Sequence, residues 1–240
     1  ASGERRRFID DASHQLRTPL TTLATQVAFA LREAPPGATR DALTAIRGQL
    51  DAATRQVNQM LALARTDSME IHAQEQDLVA LAREQTRKWW PSAREARIDL
   101  GFDTALPALV GMAQPALLHE ALSNLLHNAV TYTPAGGHIT VRVAQEGAWA
   151  RLCVEDDGPG LAPDELARAG ERFFRGSAAR AGGSGLGLAI ARAVAERHGG
   201  QLCLSAAAGG RGFLACIRLP LAPMQPQGLP QDEEPPMKAR

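Results

Sequence analysis

HEALSNLLHNAVTYTPAGG, residues 119–137, decides how the rest of the chain is read. With Leu118 just before it, the apolar residues Ala121, Leu122, Leu125, Ala129 and Val130 recur at steps of three and four, one buried stripe of a helix. Glu120, Asn124, Asn128 and Thr131 recur at four, four and three and share another face. A helix face turned to water ordinarily carries Lys or Glu. Two asparagines one turn apart instead offer amide oxygens, which coordinate a hard cation such as Mg²⁺. The competing reading is a pair of exposed or capping asparagines. Pro115 suits the first turn, so the helix is expected over 115–132.

Outward from that helix the pattern alternates between sheet and helix. HITVRVAQEGAWARLCVED alternates at period two through Ile139, Val141 and Val143, then Leu152 and Val154, with Gly147 between the halves. It reads as a hairpin. A helix is expected over 77–90, a strand over 96–103, a helix over about 186–198 stopped by Gly199-Gly200, and two last strands ending at Pro220. The sum is an α+β sandwich, one sheet with helices on one face.

The first third of the chain is different. Ile9, Ala12, Leu16, Leu20, Leu23, Val27 and Ala30 keep the helix period until APPGAT at 34–39 breaks it. Leu43, Ile46, Leu50, Ala53, Val57, Met60 and Ala64 then repeat strictly as 3-4-3-4-3-4, a seam suited to coiled-coil packing. Two such helices make an antiparallel hairpin whose stripe is covered most simply by a second copy, as a dimeric four-helix bundle. The expected organisation is a dimerisation hairpin over 1–68, an α/β sandwich over 69–221 and a disordered Pro-rich tail over 222–240.

Composition narrows the function classes. Lys+Arg and Asp+Glu both number 26, so bulk charge does not point to nucleic acid or an anionic membrane. Aromatics at 4% are too scarce for base-stacking platforms. Cys153, Cys203 and Cys216 form no CxxC pair and are expected as buried, reduced thiols. No apolar run approaches the ~18 residues of a membrane span. The chain starts abruptly on ASGERRRF, which suggests a fragment of something longer.

Three further segments carry chemistry. In VEDDGPGLAP (154–163) a strand runs into Asp156, Gly158 and Gly160. Glycines let backbone approach a flat ligand, and a carboxylate at a strand end can accept a hydrogen bond from an exocyclic amine such as adenine's. Taken alone, it is also an ordinary acidic turn. In GGSGLGLAIARAVAERHGG (182–200) Gly183, Gly185 and Gly187 lead into a helix, a general phosphate cradle. It is neither a dinucleotide fingerprint nor a Walker loop, since neither spacing is present. ERFFRG (171–176) places Phe173-Phe174 between Arg172 and Arg175, which can anchor a loop and offer charge to phosphates. The alternative is a small satellite core with solvated arginines.

FIDDASHQLRTPLTTL (8–23) poses the last question. His14 lies two residues from both Ala12 and Leu16, about 200° around the helix at ~100° per residue, on the solvent side of the stripe. A neutral surface histidine would be the ordinary reading. Pro19 argues otherwise: it costs a helix roughly 3 kcal/mol and frees the carbonyl of Gln15, strain of the kind kept for function.

Together these motifs resemble bacterial sensor histidine kinases. FIDDASHQLRTPLTTL looks like the H-box, NLLHNAVTYTPAGG the N-box, VEDDGPG the G1 box, ERFFRG the F-box and GSGLGLAI the G2 box, in the family's order over roughly residues 5–220. SHQLRTPL is similar to a variant seen in sensors associated with tricarboxylate uptake. The resemblance implies a dimerisation and histidine phosphotransfer hairpin followed by a Bergerat-type ATP-binding domain. It implies that His14 takes the γ-phosphoryl group of ATP, with Gln15 beside it and Thr18 tied to dephosphorylating the partner. Asn128, supported by Asn124, would hold Mg²⁺; Tyr132 would lie against adenine and Asp156 would read its amino group. Gly158 and Gly160 would shape that pocket, and Gly183, Gly185, Leu186 and Gly187 would close over the phosphates. Residues 161–182 would be a mobile lid bearing Arg172 and Arg175. Implied partners are a second copy of the chain and a response regulator, with no nucleic acid, and a membrane anchor in segments outside this sequence.

Three departures from the family pattern matter. The residue after the phosphoacceptor is usually acidic; Gln15 can orient the imidazole but cannot take its proton. Thr131 stands where Lys or Arg often meets phosphate, and Phe213-Leu214 stand where a hydroxyl residue is common. Kinase activity is expected to survive, with a phosphatase-dominant balance as the alternative. An ATP-binding clamp of the chaperone and topoisomerase kind shares the pocket but lacks the histidine hairpin.

Overall fold

The computed structural model describes residues 2–68, 71–177 and 184–221, with the side chains of 2–14, 17 and 65–68 excepted. The hairpin is α1 (Ser2–Glu33) and α2 (Ala38–Ser68), turning at Pro35 to Gly37, where Gly37 takes a φ of 135°. α1 continues as one helix through Pro19. The outward placement expected for the His14 side chain, and the tail over 222–240, lie outside the described residues.

The sandwich follows as β1 (Gln74–Asp77), α3 (Leu78–Glu95), β2 (Asp99–Asp103), β3 (Val110–Ala113) and α4 (Pro115–Tyr132). It continues with β4 (His138–Glu146), β5 (Trp149–Asp156), α5 (Pro163–Arg168), α6 (Gly187–Arg197), β6 (Gln201–Ala206) and β7 (Phe213–Pro220). The five-stranded sheet has the order β2-β4-β5-β7-β6; β2 runs parallel to β4 and the other pairs are antiparallel. Alternation assigns the two faces. Ile139, Val141, Leu152, Val154, Ile217 and Leu219 are buried with Leu118, Leu122 and Leu126 of α4 and Ile190 and Val194 of α6. The opposite face carries charge instead: Arg142 pairs with Asp103 at 2.9 Å and Glu155 at 3.3 Å, and Arg151 with Glu146 at 3.5 Å.

Two expectations need correction. The sheet is not single, because β1 and β3 form a separate two-stranded antiparallel pair. At four residues each these strands are too short for an alternating pattern to stand out. β1 leads into Asp77, whose Oδ1 accepts hydrogen bonds from Val79 N–H at 2.9 Å, Ala80 N–H at 3.3 Å and Leu109 N–H at 3.2 Å, capping α3 and tying it to the segment before β3. The second correction concerns the cysteines. Cys153 and Cys216 are joined as a disulfide between β5 and β7, where strand register sets them directly opposite. Cys203 is a free thiol. Sequence spacing alone could not reveal a pairing made by non-adjacent strands.

Candidate functional site

α4 is the frame of the site. Its limits match those expected, and its leucine stripe holds it against the sheet. Asn128, Thr131 and Tyr132 face a cavity of about 400 Å³, within the range of small-ligand pockets. Asp156, Pro159, Gly160, Leu161 and Phe213 form one wall, and Ser184, Gly185, Gly187 and Leu188 form the entrance to α6. Phe174, Arg175 and Gly176 line a third side.

Asp156 is set by the sheet. It ends β5 opposite Phe213 of β7, and its Oδ1 accepts a hydrogen bond from Gly158 N–H at 3.0 Å. Burial raises its carboxyl to a pKa of about 6, against the opposing pull of the backbone N–H groups of Gly158 and Phe213. The G1 glycines are sterically required. A Cβ at Gly158 would meet that Oδ1 at 2.8 Å, and one at Gly160 would meet the Gly212 carbonyl oxygen at 2.7 Å.

The F-box and G2 segments interlock. Phe173 N–H donates to the Gly185 carbonyl at 3.0 Å, with Phe173 at a φ of 64° and Gly185 at 69°. A side chain at Gly185 would lie 2.7 Å from the Phe173 carbonyl carbon and the Phe174 carbonyl oxygen. A bulky residue at positive φ stores strain, here where two pocket segments meet. Arg168 stacks over the Phe174 ring at 4.6 Å, and part of the expected lid forms the helix α5. Residues 178–183, including Gly183, lie outside the described residues.

The two asparagines are not equivalent. Gly187 packs over both: a Cβ there would lie 3.3 Å from Asn128 Oδ1 and 3.5 Å from Asn124 Oδ1. Asn128 lines the cavity. Asn124 is buried, its amide nitrogen donating to the Glu120 carbonyl at 2.9 Å and Glu120 Oε1 at 3.2 Å. Its oxygen accepts from Gln59 of α2 at 2.7 Å. Neutral amide oxygens suit Mg²⁺, which binds through one or two protein oxygens with phosphates and water supplying the rest. Asn128 Oδ1 is a donor of that kind, and it lines the cavity.

Of the other expected residues, Gly158 shapes the Asp156 turn, and Leu186 is fully buried as the N-cap of α6 rather than lining the cavity. Arg172 is exposed and outside the cavity lining, whereas Arg175 is within it. Gln15 and Thr18 are exposed on α1. Thr131, expected to offer a hydroxyl, donates it to the His127 carbonyl at 2.7 Å.

Sequence reasoning missed the roof of the cavity. Gly48, Ala52, Arg55 and Gln59 of α2 line it, with Gln49 and Gln56 beside them. Gln59 bridges two pocket segments, donating to Asn124 and accepting from Ser184 Oγ at 2.5 Å. The available signal was a second α2 face, small at 48 and 52 and polar at 55 and 59, distinct from the apolar seam.

Comparison with known proteins adds identity to geometry. Residues 4–68 match the His Kinase A (phospho-acceptor) domain model, and residues 113–223 match the model described as histidine kinase-, DNA gyrase B-, and HSP90-like ATPase. The sensor protein QseC of Escherichia coli K12 is 39% identical over 197 residues, 81% of this chain and 43% of that protein. The signal transduction histidine-protein kinase/phosphatase MprB of Mycobacterium avium is 34% identical over 234 residues, 92% of this chain and 44% of that protein. The chain thus spans less than half the length of these relatives. Among solved structures, a mycobacterial sensor histidine kinase MprB superposes with a TM-score of 0.56 at 32% identity, over 63% of this chain and all of that one. Full-length ShkA in complex with AMPPNP superposes with a TM-score of 0.69 at 28% identity, over 90% of this chain and 46% of that one.

Proposed function

The chain belongs to the sensor histidine kinases, and from that premise we propose that it is an ATP-dependent protein-histidine kinase that autophosphorylates His14 and passes the phosphoryl group to an aspartate of a response regulator. The observation that carries this reading is one cavity gathering Asn128, Tyr132, Asp156, Gly160, Gly185 and Gly187 from three separate segments. The nucleotide complex of ShkA supports the choice of ligand. On this reading, residues 1–68 are the dimerisation and phosphotransfer domain and 69–221 the ATP-binding domain. Exposed Leu16, Leu23, Ile46 and Met60 on the hairpin support a homodimer.

Phosphoryl transfer needs alignment and charge neutralisation more than covalent help. Asp156, when ionised, accepts the adenine amino group, Tyr132 and Phe213 flank the base, and the glycines at 185 and 187 let backbone reach the phosphates. Gly183, Arg172 and Arg175 complete the lid in this reading. Asn128, with Asn124 in support, would hold Mg²⁺, which when bound offsets phosphate charge. Counting back from the turn at Pro35–Gly37, residue 14 of α1 lies about level with residues 55–59 of α2, the stretch that roofs the cavity. A ring nitrogen of His14 then bonds the γ-phosphorus as the bond to the bridging oxygen breaks, leaving ADP. Gln15 orients the ring, and its proton passes to solvent. Thr18 serves the reverse task, positioning water to dephosphorylate the regulator.

Gln15 favours a second reading, a phosphatase-dominant balance, supported by the name kinase/phosphatase that MprB carries. The full-length protein is proposed to be anchored in the bacterial inner membrane by segments outside this sequence. No described helix is long and apolar enough to cross a membrane. The test is incubation with γ-³²P-ATP and Mg²⁺. Acid-labile label is expected on His14; acid-stable label, or label retained in His14→Ala, overturns the reading.

A further inference from the structure

The helical hairpin contributes a side chain to the nucleotide cavity. Along α2, Gly48, Ala52, Arg55 and Gln59 follow at steps of four, three and four, one face of the helix. That face, not the apolar seam, roofs the cavity. The two small residues leave room beneath the roof, and the two long ones reach into it.

α2 is held there by specific bonds. Gln59 donates to Asn124 Oδ1 at 2.7 Å and accepts from Ser184 Oγ at 2.5 Å, joining α2 to α4 and to the entrance of α6. Leu63, one turn further on, is buried in the sandwich core. One turn before Gln59, Arg55 lines the cavity with His127, Asn128 and Gly187. Its charge acts on His127, where it adds to burial in lowering the imidazole pKa. It makes no ion pair among the described residues.

Arg55 and Arg175 are the cations of the described cavity lining, and they stand on different sides of it. Thr131, at the matching edge of α4, has its hydroxyl committed to the His127 carbonyl. A polyphosphate running from the Asp156 wall toward Asn128 and Gly187 passes under α2. Guanidinium is the side chain best matched to phosphate oxygens, through paired, charge-assisted hydrogen bonds.

We propose that Arg55 is a positioning residue for the nucleotide: it binds the polyphosphate from the hairpin side, so that ATP is held tightly only while α2 roofs the pocket. This rests on the reading of the cavity as the ATP site and assigns part of that site to the helical region. Its consequence is coupling. Anything that shifts α2 along its axis withdraws Arg55 and loosens ATP, and ATP in turn favours the roofed arrangement by the same factor.

The test is calorimetric titration of the whole chain with Mg²⁺-ATP and with adenosine, for wild type, Arg55→Ala and Arg55→Lys, each checked for unchanged helical circular dichroism. Arg55→Ala is expected to weaken ATP about fivefold to tenfold, as one lost charge-assisted contact would. Adenosine affinity should be unmoved, and Arg55→Lys should recover part of the loss. Equal ATP affinity in wild type and Arg55→Ala overturns the proposal while leaving the ATP site standing. Equal losses for ATP and adenosine also overturn it, since they mark a merely structural role. A wild type that binds neither ligand overturns the reading of the cavity and the proposal with it.

Discussion

The hairpin and the sandwich are built from similar helices but finish their cores in different ways. In α4, Leu118, Leu122 and Leu126 are all at 0% exposure, whereas in the hairpin Leu16, Leu23 and Ile46 remain 45%, 47% and 50% exposed. The sandwich helix has a sheet beneath it; the hairpin has one partner helix and a stripe left over. The sandwich closes its core largely on its own sheet, with Leu63 of α2 added to it, whereas the hairpin stripe is complete only against a second surface, which we assign to another copy of the chain.

Except where α2 roofs the cavity, phosphoacceptor and nucleotide site divide along the same line, and the largest expected effect tests that division. His14→Ala should reduce phosphate incorporation to background while leaving Mg²⁺-ATP affinity unchanged; Asn128→Ala should lose both, measured by ³²P labelling and calorimetry. If His14→Ala also abolished ATP binding, His14 would belong to the nucleotide site and not to the phosphoacceptor alone.

Stability gives the next contrast. Leu122→Ala in the sheet-backed core should cost about 3 kcal/mol in urea denaturation, with a midpoint independent of protein concentration. Leu23→Ala, half exposed in the monomer, should cost less than ~1 kcal/mol at low concentration, rising as dimers populate. A concentration-independent loss of several kcal/mol at Leu23 would deny the hairpin its dimeric role.

A smaller effect lies within the sandwich. Asp156 has its pKa raised to about 6 by burial. As pH falls through 6 the carboxyl takes up a proton and loses the charge-assisted hydrogen bond it accepts from the adenine amino group, so ATP affinity should weaken several-fold between pH 7.5 and about 5. Stability of the ligand-free protein moves oppositely. With a folded pKa above the unfolded value near 3.9, the folded state holds more protons in that window, so stability rises as pH drops from 6 toward 4. Asp156→Asn should flatten both profiles, read by titration and by denaturation across pH; unchanged profiles would place the titrating group elsewhere.

The smallest effect returns to the hairpin. Gln15→Glu supplies a carboxylate beside His14 and should raise the autophosphorylation rate about two- to fivefold, a weak general-base gain. A rise of a hundredfold would favour the phosphatase-dominant reading; no change would show that proton removal does not limit the wild type.

Much of this was legible before the fold was known, and for local reasons. The limits of α4 follow from Pro115 and a stripe at helical period. The break between α1 and α2 follows from two prolines and a glycine, and the β4–β5 turn from Gly147 at a φ of 59°. The glycines near Asp156 and before α6 announced close backbone approach, and the geometry supplies the carbonyls and carboxylate they approach. Strands β1 and β3 were invisible because four residues carry too little pattern, and the Cys153–Cys216 pairing because it depends on β7 lying beside β5.

By itself, then, the sequence determined every helix but α5, the hairpin, the ligand-approaching loops and the family, since each rests on periodicity, backbone restriction or an ordered set of motifs. Only the tertiary structure decided that Asn124 is tied to Gln59 rather than open to the cavity, and that Arg55 stands beside Asn128. Those contacts span 65 residues in the case of Gln59 and Asn124, and 125 for Gln59 and Ser184. No local rule reaches that far: the face a helix turns away from its own seam is chosen by whichever surface the rest of the chain brings to it.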